Sequence, residues 1–292
     1  MTNAVIHRPT RTMRTILCAL VLVVLVVPAG AAGQATDPTV AEYRAGKNFL
    51  PTAVYSEEDD QEVLKLFEGL RVADVSDGMD RAGLQNVGLV SAEIRPLWRD
   101  TEHFAHRFVG IAVTARYVPT NKPPAGRRDV EAFDAWVGQW YKNLSSEPFV
   151  RLIRPGTALV IEDTDAVDVG SIGSNNILGW KARGCVGVVT SATARDTDEI
   201  AAQRVPLYFK QPGRGIRPGR NEVESVNRPV VVGGALVMPG DVIVADGDGV
   251  LVVPRRHAAE VAEYARATLE GDKAGRRRLY EKLGIPLDDS VR

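Results

Sequence analysis

The chain has 292 residues, 45% of them apolar and 25% charged, with 36 basic against 37 acidic side chains. That composition belongs to a folded globular chain, and the even charge balance excludes nucleic-acid binding driven by bulk positive charge. Two cysteines in such a length exclude a disulfide-built scaffold and a cysteine-rich zinc domain.

Residues 1–32 read as an export signal. Arg8, Arg11 and Arg14 form a positive head, 16–27 is an unbroken apolar run, and Ala29-Gly30-Ala31-Ala32 supplies small residues for cleavage. The run falls short of the roughly 20 residues that span a bilayer, and nothing later is long and apolar enough to do so. Cleavage removes those three arginines and no acid, so 36 basic residues become 33 and the formal charge moves from −1 to −4. It also removes Cys18, which leaves Cys185 as a lone thiol at the start of a buried strand. The expected destination is the periplasm or the exterior. Residues 33–56, polar and without apolar periodicity, are expected to be a flexible lead-in. A single domain over 57–285 and a tail over 286–292 complete the expected layout.

Within the domain, Val63, Leu64, Phe67 and Leu70 recur at helical spacing and predict a helix over 57–70. A second helix is expected over 72–83, capped by Asp74 or Ser76. Residues 108–118 alternate as a strand, and 119–128, with three prolines and two adjacent arginines, is a loop. The helix expected over 130–144 carries Phe133, Trp136, Val137, Trp140 and Tyr141 on a stripe suited to the core or a subunit interface. TALVI (157–161) and CVGVVT (185–190) are continuous apolar runs of the kind that form strands buried on both faces. A small-residue loop leading into a helix lies between them at 173–184. After the loop at 211–220, β segments follow at 229–238, 241–245 and 250–254, and an amphipathic helix over 256–269 closes the pattern. Strands gathered into hairpins with helices between the earlier ones predict a mixed α/β domain.

Several motifs lead nowhere. Asp246-Gly-Asp248-Gly lacks the remaining ligands of a calcium loop and reads as a hairpin turn. His103, His106 and His257 show no zinc-ligand spacing. There is no P-loop, dinucleotide fingerprint or serine elbow. The acidic group Glu162, Asp163, Asp165 and Asp168 reads as a solvated loop.

The stretch Gly173-Ser174-Asn175-Asn176, followed by the strand at 185–190 and then Arg195-Asp196, has more to offer. Free N–H groups at a helix start can hold a carboxylate, Arg195 can grip another oxygen, and Asp196 can ligate a hard cation. A plain surface ion pair between Arg195 and Asp196 is the competing reading.

This stretch resembles the signature of the RraA-like proteins, the group of class II 4-hydroxy-4-methyl-2-oxoglutarate aldolases and the regulator of ribonuclease activity A. The block from Val226 through Pro239-Gly240-Asp241 to Pro254 is similar to a second family segment, and Ala73-Asp74-Val75-Ser76-Asp77 to its opening helix. The resemblance implies an α/β, mixed-sheet β/β/α swivelling-type single domain with helical extensions, assembled as a homotrimer or homohexamer. It implies a metal-dependent lyase for a small 2-oxo acid substrate, with Mg²⁺ or Mn²⁺ as cofactor; no nucleic-acid partner is expected from the charge balance, and no membrane span after signal cleavage. In that frame Arg195 and Asp196 are catalytic, Asp196 also binds the metal, and Gly173, Ser174, Asn175 and Asn176 hold the substrate together with Arg195. Two positions depart from the family pattern: Ser174 stands where an acid is usual, and Ser191-Ala192 where Asp-Gly is usual. Asp272 of a neighbouring subunit is the nearest acid that could compensate. The departures also support an alternative, a non-catalytic binding or regulatory protein of the same fold.

Overall fold

The computed structural model describes residues 38–164, 168–288 and 290–291. The expected export segment, 1–32, and Asp165 lie outside them. The chain divides into two units, Met1–Phe49 and Leu50–Arg292. In the first, within the expected lead-in, Pro38–Ala45 forms a helix, α1. Good helix formers such as Ala, Glu and Arg sustain it without an apolar stripe. Lys47 pairs with Glu42 at 2.9 Å, and its ammonium lies 5.8 Å from the centre of the Tyr43 ring.

The second unit opens with α2 (Glu57–Leu66). Its cap is reciprocal: Ser56 Oγ accepts from the Asp59 N–H at 3.1 Å, and Asp59 accepts from the Ser56 N–H at 3.0 Å. Such a cap contributes about 1 kcal/mol. Helix α3 (Val72–Arg81) starts one residue after Arg71, so the expectation that Asp74 or Ser76 caps it is corrected. Asp74 sits in the first turn, and its carboxylate reaches back to the Arg71 N–H at 3.0 Å and Nε at 2.9 Å.

The remaining elements are β1 (Arg95–Pro96), β2 (Phe108–Pro119), α4 (Val130–Asn143), a 3₁₀ turn (Pro148–Leu152), β3 (Thr157–Glu162), α5 (Ser174–Lys181), β4 (Cys185–Thr190) and β5 (Thr193–Ala194). Then come α6 (Thr197–Ala202), β6 (Leu207–Phe209), β7 (Gln211–Pro212), β8 (Asn221–Val226), β9 (Val230–Val232), β10 (Ala235–Val237), β11 (Val242–Asp246), β12 (Gly249–Val253) and α7 (Ala258–Leu283). The short elements α6, β6 and β7 carry no sequence period and were not foreseen.

An eight-stranded sheet runs β1-β6-β4-β3-β2-β11-β12, with β8 also on β2. Strands β6, β4, β3 and β2 are parallel; β1, β8, β11 and β12 are antiparallel to their neighbours. The twelve-residue β2 serves three partners. Its β3 edge is continuous, and its other edge is shared by β11 at the start and β8 at the end.

Alternation sorts side chains to the two faces. Leu159 and Ile161 of β3 join Ile172, Ile177 and Ile200 beneath α5 and α6. Ala158 and Val160 pack instead with Val230, Val232 and Ala235 of the small antiparallel β9–β10 ribbon. Further along the helical face, Phe67, Val75, Met79, Val244, Leu251 and Val261 join α3 and α7 to β11 and β12. Each large apolar side chain buried this way contributes about 1.5–3 kcal/mol. The result is a β/β/α layering on a mixed sheet.

Helix α7 outruns its expected end at 269 by about four turns, to Leu283. Beyond Leu269 its apolar residues are exposed, Leu279 by 56% and Leu283 by 68%, so no core stripe marks it. Strong helix formers and the pairs Asp272–Arg276 and Arg277–Glu281 carry it to Gly284, whose positive φ ends it. Among the described residues no helix is long and apolar enough to cross a membrane.

Candidate functional site

The parallel strands β3 and β4 end side by side, and in such sheets ligands gather beyond the strands' carboxyl ends. From β3 the chain passes through Gly170–Gly173 into α5; from β4 it passes through Ser191, Ala192 and β5 to Arg195 and Asp196, then into α6. The two connections are stitched together. Arg195 N–H donates to Ile172 O at 2.8 Å, and Ile172 bridges Ala194.

Asp196 adopts a left-handed conformation, φ 56°, as the residue that starts α6. Asp tolerates this better than most residues. Its Oδ2 accepts from Ser174 N–H at 3.0 Å and from Ser174 Oγ at 3.2 Å. The first helical N–H groups have no acceptor within a helix; in α5 the first intrahelical bond is Ile177 to Gly173, and the Ser174 donor is taken by Asp196. Arg195 Nε lies 3.8 Å from Asp196 Oδ1. A Cβ on Gly170 would sit 2.6 Å from Arg195 Cβ, so glycine is what lets the arginine stem lie against this loop.

Beside this junction is a cavity of about 370 Å³ whose walls include Tyr141, Glu147, Gly173, Asn176, Arg195 and Arg217. Of the expected site residues, Gly173, Asn176 and Arg195 line it. Ser174 and Asp196 are bonded to each other next to it, and Asn175 is exposed and does not line it.

Sequence reasoning missed the opposite wall. Glu147 Oε1 accepts from Asn176 Nδ2 at 2.7 Å and from Arg217, and its Oε2 accepts from Trp180 Nε1 at 3.1 Å. Arg217, only 6% exposed, donates to the Tyr117 hydroxyl at 3.0 Å and lies 5.5 and 5.2 Å from the Tyr117 and Tyr141 ring centres. Burial works against the Arg217 charge, but Tyr117 and the Glu147 carboxylate facing it hold its proton more tightly than usual. The signals available in sequence were the arginines of the 211–220 loop and an acid just past an aromatic helix.

The reading of Glu162, Asp163 and Asp168 as a solvated loop is corrected at Asp163, which is 7% exposed. Its carboxylate accepts from Ser171 Oγ, from Asn221 Nδ2 at 3.0 Å to each oxygen, and from the Thr164 N–H at 2.7 Å. Asn221, fully buried, also takes the Ser145 hydroxyl on its Oδ1 at 3.0 Å. Burial holds the Asp163 pKa above the usual carboxylate range despite these donors. Asp168, by contrast, is an exposed partner of Arg214.

Among the described residues no group of three or more His, Cys, Asp or Glu is disposed to hold a metal. With Glu147 held by Asn176, Trp180 and Arg217, the site offers a cation the Asp196 carboxylate, whose Oδ1 lies 3.8 Å from Arg195 Nε, and the Ser174 hydroxyl. That donor set suits a hard cation such as Mg²⁺, which keeps several waters and takes substrate oxygens; it does not suit zinc. Asp272, the candidate for a compensating acid, accepts from Arg71 at 3.0 Å within its own chain.

The Aldolase/RraA model of the RraA-like proteins matches residues 72–252, a span that holds both strand ends and the whole cavity. The chain belongs to the RraA-like family. It is 27% identical over 199 residues to Protein DlpA of Legionella pneumophila, covering 65% of this chain and 27% of that protein. It is 29% identical over 131 residues to a putative 4-hydroxy-4-methyl-2-oxoglutarate aldolase of Halalkalibacterium halodurans, covering 44% and 61%. The matched part therefore spans about a quarter and about three-fifths of the length of these curated relatives. An uncharacterized Pseudomonas syringae protein shares the fold at TM-score 0.58 and 26% identity, over 84% of this chain and all of that one. Streptomyces coelicolor RraAS2 does so at TM-score 0.58 and 20% identity, over 77% and 99%, a likeness of fold alone.

Proposed function

We propose that this RraA-like protein is a divalent-metal-dependent lyase for a small 2-oxo acid, releasing pyruvate by aldol cleavage or by decarboxylation of a 4-carboxylate. The observation that carries the reading is the bond between Asp196 and the first turn of α5, which brings the Arg195-Asp196 pair and the Gly173 loop to one cavity edge. The names of the aldolase relatives support it.

In this reading Arg195 grips the substrate carboxylate and sets the 2-oxo group toward Asp196, while the Asn176 N–H, without an acceptor inside α5, offers a donor at the same edge. Asp196 and Ser174 would hold the cation, fixed by their mutual hydrogen bond. A bound cation supplies Lewis-acid stabilisation of the charge that develops on the 2-oxo oxygen. The 4-hydroxyl proton passes to water, the C3–C4 bond breaks with its electron pair passing into a pyruvate enolate while C4 becomes the carbonyl of the second product, and C3 takes up a proton from water. With a carboxylate at C4 the same electron flow releases CO₂. Arg195 neutralises charge throughout, a fixed electrostatic contribution of the kind that dominates such reactions.

Pyruvate release from 4-hydroxy-2-oxo acids and from oxaloacetate, assayed with Mg²⁺ or Mn²⁺, tests the proposal. Turnover should vanish with chelator, and Asp196→Ala and Arg195→Ala should each lower kcat/KM by on the order of 100-fold or more. Turnover that persists through both chelation and Asp196→Ala overturns it.

A further inference from the structure

Three polar atoms of the site converge on one place, the space above Gly173 where a side chain would begin. A Cβ there would lie 3.0 Å from Asp196 Oδ2, 3.5 Å from Asn176 Oδ1 and 3.8 Å from Arg195 Nε. The Gly173 backbone is extended, φ −112° and ψ 166°, so its conformation admits any residue and what glycine supplies is room. The Asn176 amide is held one way round. Its Nδ2 donates to Glu147 Oε1 at 2.7 Å, and an ionised carboxylate only accepts, so the amide nitrogen must face Glu147 and the oxygen is the end turned to Gly173. Arg217 and Trp180 Nε1 hold that carboxylate in place from its other sides. Among the described residues Asn176 Oδ1 accepts no hydrogen bond.

We infer that Asn176 Oδ1 is a second protein oxygen for the divalent cation of the proposed lyase, accepting from a water that the cation keeps when it sits on Asp196, and that Gly173 is bare so that this water has a place. Mg²⁺ gives up its waters reluctantly and is usually held by one or two carboxylates with several waters retained, so groups that receive those waters decide how firmly it stays. An amide oxygen receives them without adding charge. The inference rests on the lyase reading for the cation and for Asp196; what it adds is the role of the amide and of the missing Cβ.

Metal binding tests it apart from turnover. Free Mn²⁺ counted by electron paramagnetic resonance during titration of the full chain gives a Kd with no substrate present. Asn176→Leu keeps the size of the side chain and removes its oxygen; Gly173→Ala puts a methyl group where the water would stand. Each should raise the Kd by at least about tenfold. Asn176→Asp breaks the bond to Glu147 yet keeps an oxygen toward Asp196, and should stay within about threefold of the unchanged chain. Metal-free melting temperatures should differ little among the variants, while the rise that a fixed Mn²⁺ concentration produces should shrink for Asn176→Leu and Gly173→Ala alone. An Asn176→Leu chain that binds Mn²⁺ as tightly as the unchanged one overturns the inference. So does Asn176→Asp binding as weakly as Asn176→Leu, which would make Asn176 only a prop for Glu147, and a Gly173→Ala chain with unchanged Kd overturns the place assigned to the water. If the unchanged chain binds no Mn²⁺, or binds it equally after Asp196→Ala, the inference and the assigned metal site fall together. If the Kd values move as expected and no 2-oxo acid is turned over, the lyase reading alone fails.

Discussion

The two ends of the sheet are held by different forces. Where α3 and α7 cover β11 and β12, contact is apolar and close: Gly78 of α3 meets α7 so nearly that a Cβ there would lie 2.5 Å from Val261 O and 3.0 Å from Ala265 N. Beyond the ends of β3 and β4 the buried groups are polar, with Asp163, Ser171, Asn221 and Ser145 bonded in one network under the cavity wall. An apolar seam needs only shape, whereas a buried polar network is stable only while each member keeps its partners. The functional end thus depends on a few specific donors, and the helical end on many interchangeable contacts.

The comparison breaks first at Asn221. Asn221→Ala removes two bonds from a buried carboxylate and one acceptor from Ser145, and should cost about 2–4 kcal/mol in urea unfolding, since each orphaned buried group costs about 1–3 kcal/mol. A loss under 1 kcal/mol would mean that the network contributes little. Gly78→Ala is the matching test at the helical end. The same change in an open helix position stabilises by about 0.5–1 kcal/mol, and Gly271, with nothing within 4 Å of its would-be Cβ, is such a position. Opposite signs are expected: a gain at Gly271, and at Gly78 a loss of about 1–3 kcal/mol from overpacking. Equal gains at both would show that α7 yields freely.

The same contrast explains what could be read in sequence. β3 and β4 are legible because parallel strands buried on both faces write continuous apolar runs, and α2 because its seam residues keep helical spacing. Arg195 and Asp196 are legible as a motif because they are adjacent. Glu147 and Arg217 are not, since 70 residues separate them and only the fold joins them. Asp163 reads as solvent-facing because an acid after a strand usually is; its donors, Ser171 and Asn221, are 8 and 58 residues away. The tail of α7 escapes for the opposite reason, because propensity and exposed ion pairs hold it and neither leaves an apolar period.

The smallest expected effect is a dependence on pH. Burial raises the Asp163 pKa, so the folded chain holds that proton more tightly than the unfolded chain. The contribution is therefore fully present below the unfolded value of about 3.9 and is lost as pH rises through the folded one. Asp241, also buried and raised, acts in the same direction. Asp59, Asp100 and Asp168, lowered chiefly by backbone N–H donors, act oppositely, losing their contribution as pH falls below about 4. Comparing the unchanged chain with Asp163→Asn isolates the network, because the other carboxylates cancel in the difference. From pH 4 upward the urea midpoint of the unchanged chain should fall relative to that of Asp163→Asn, with the difference no steeper than about 1.4 kcal/mol per pH unit. Parallel curves would mean that the donors from Ser171 and Asn221 hold Asp163 as a settled carboxylate, and that the polar end carries no strain from its buried charge.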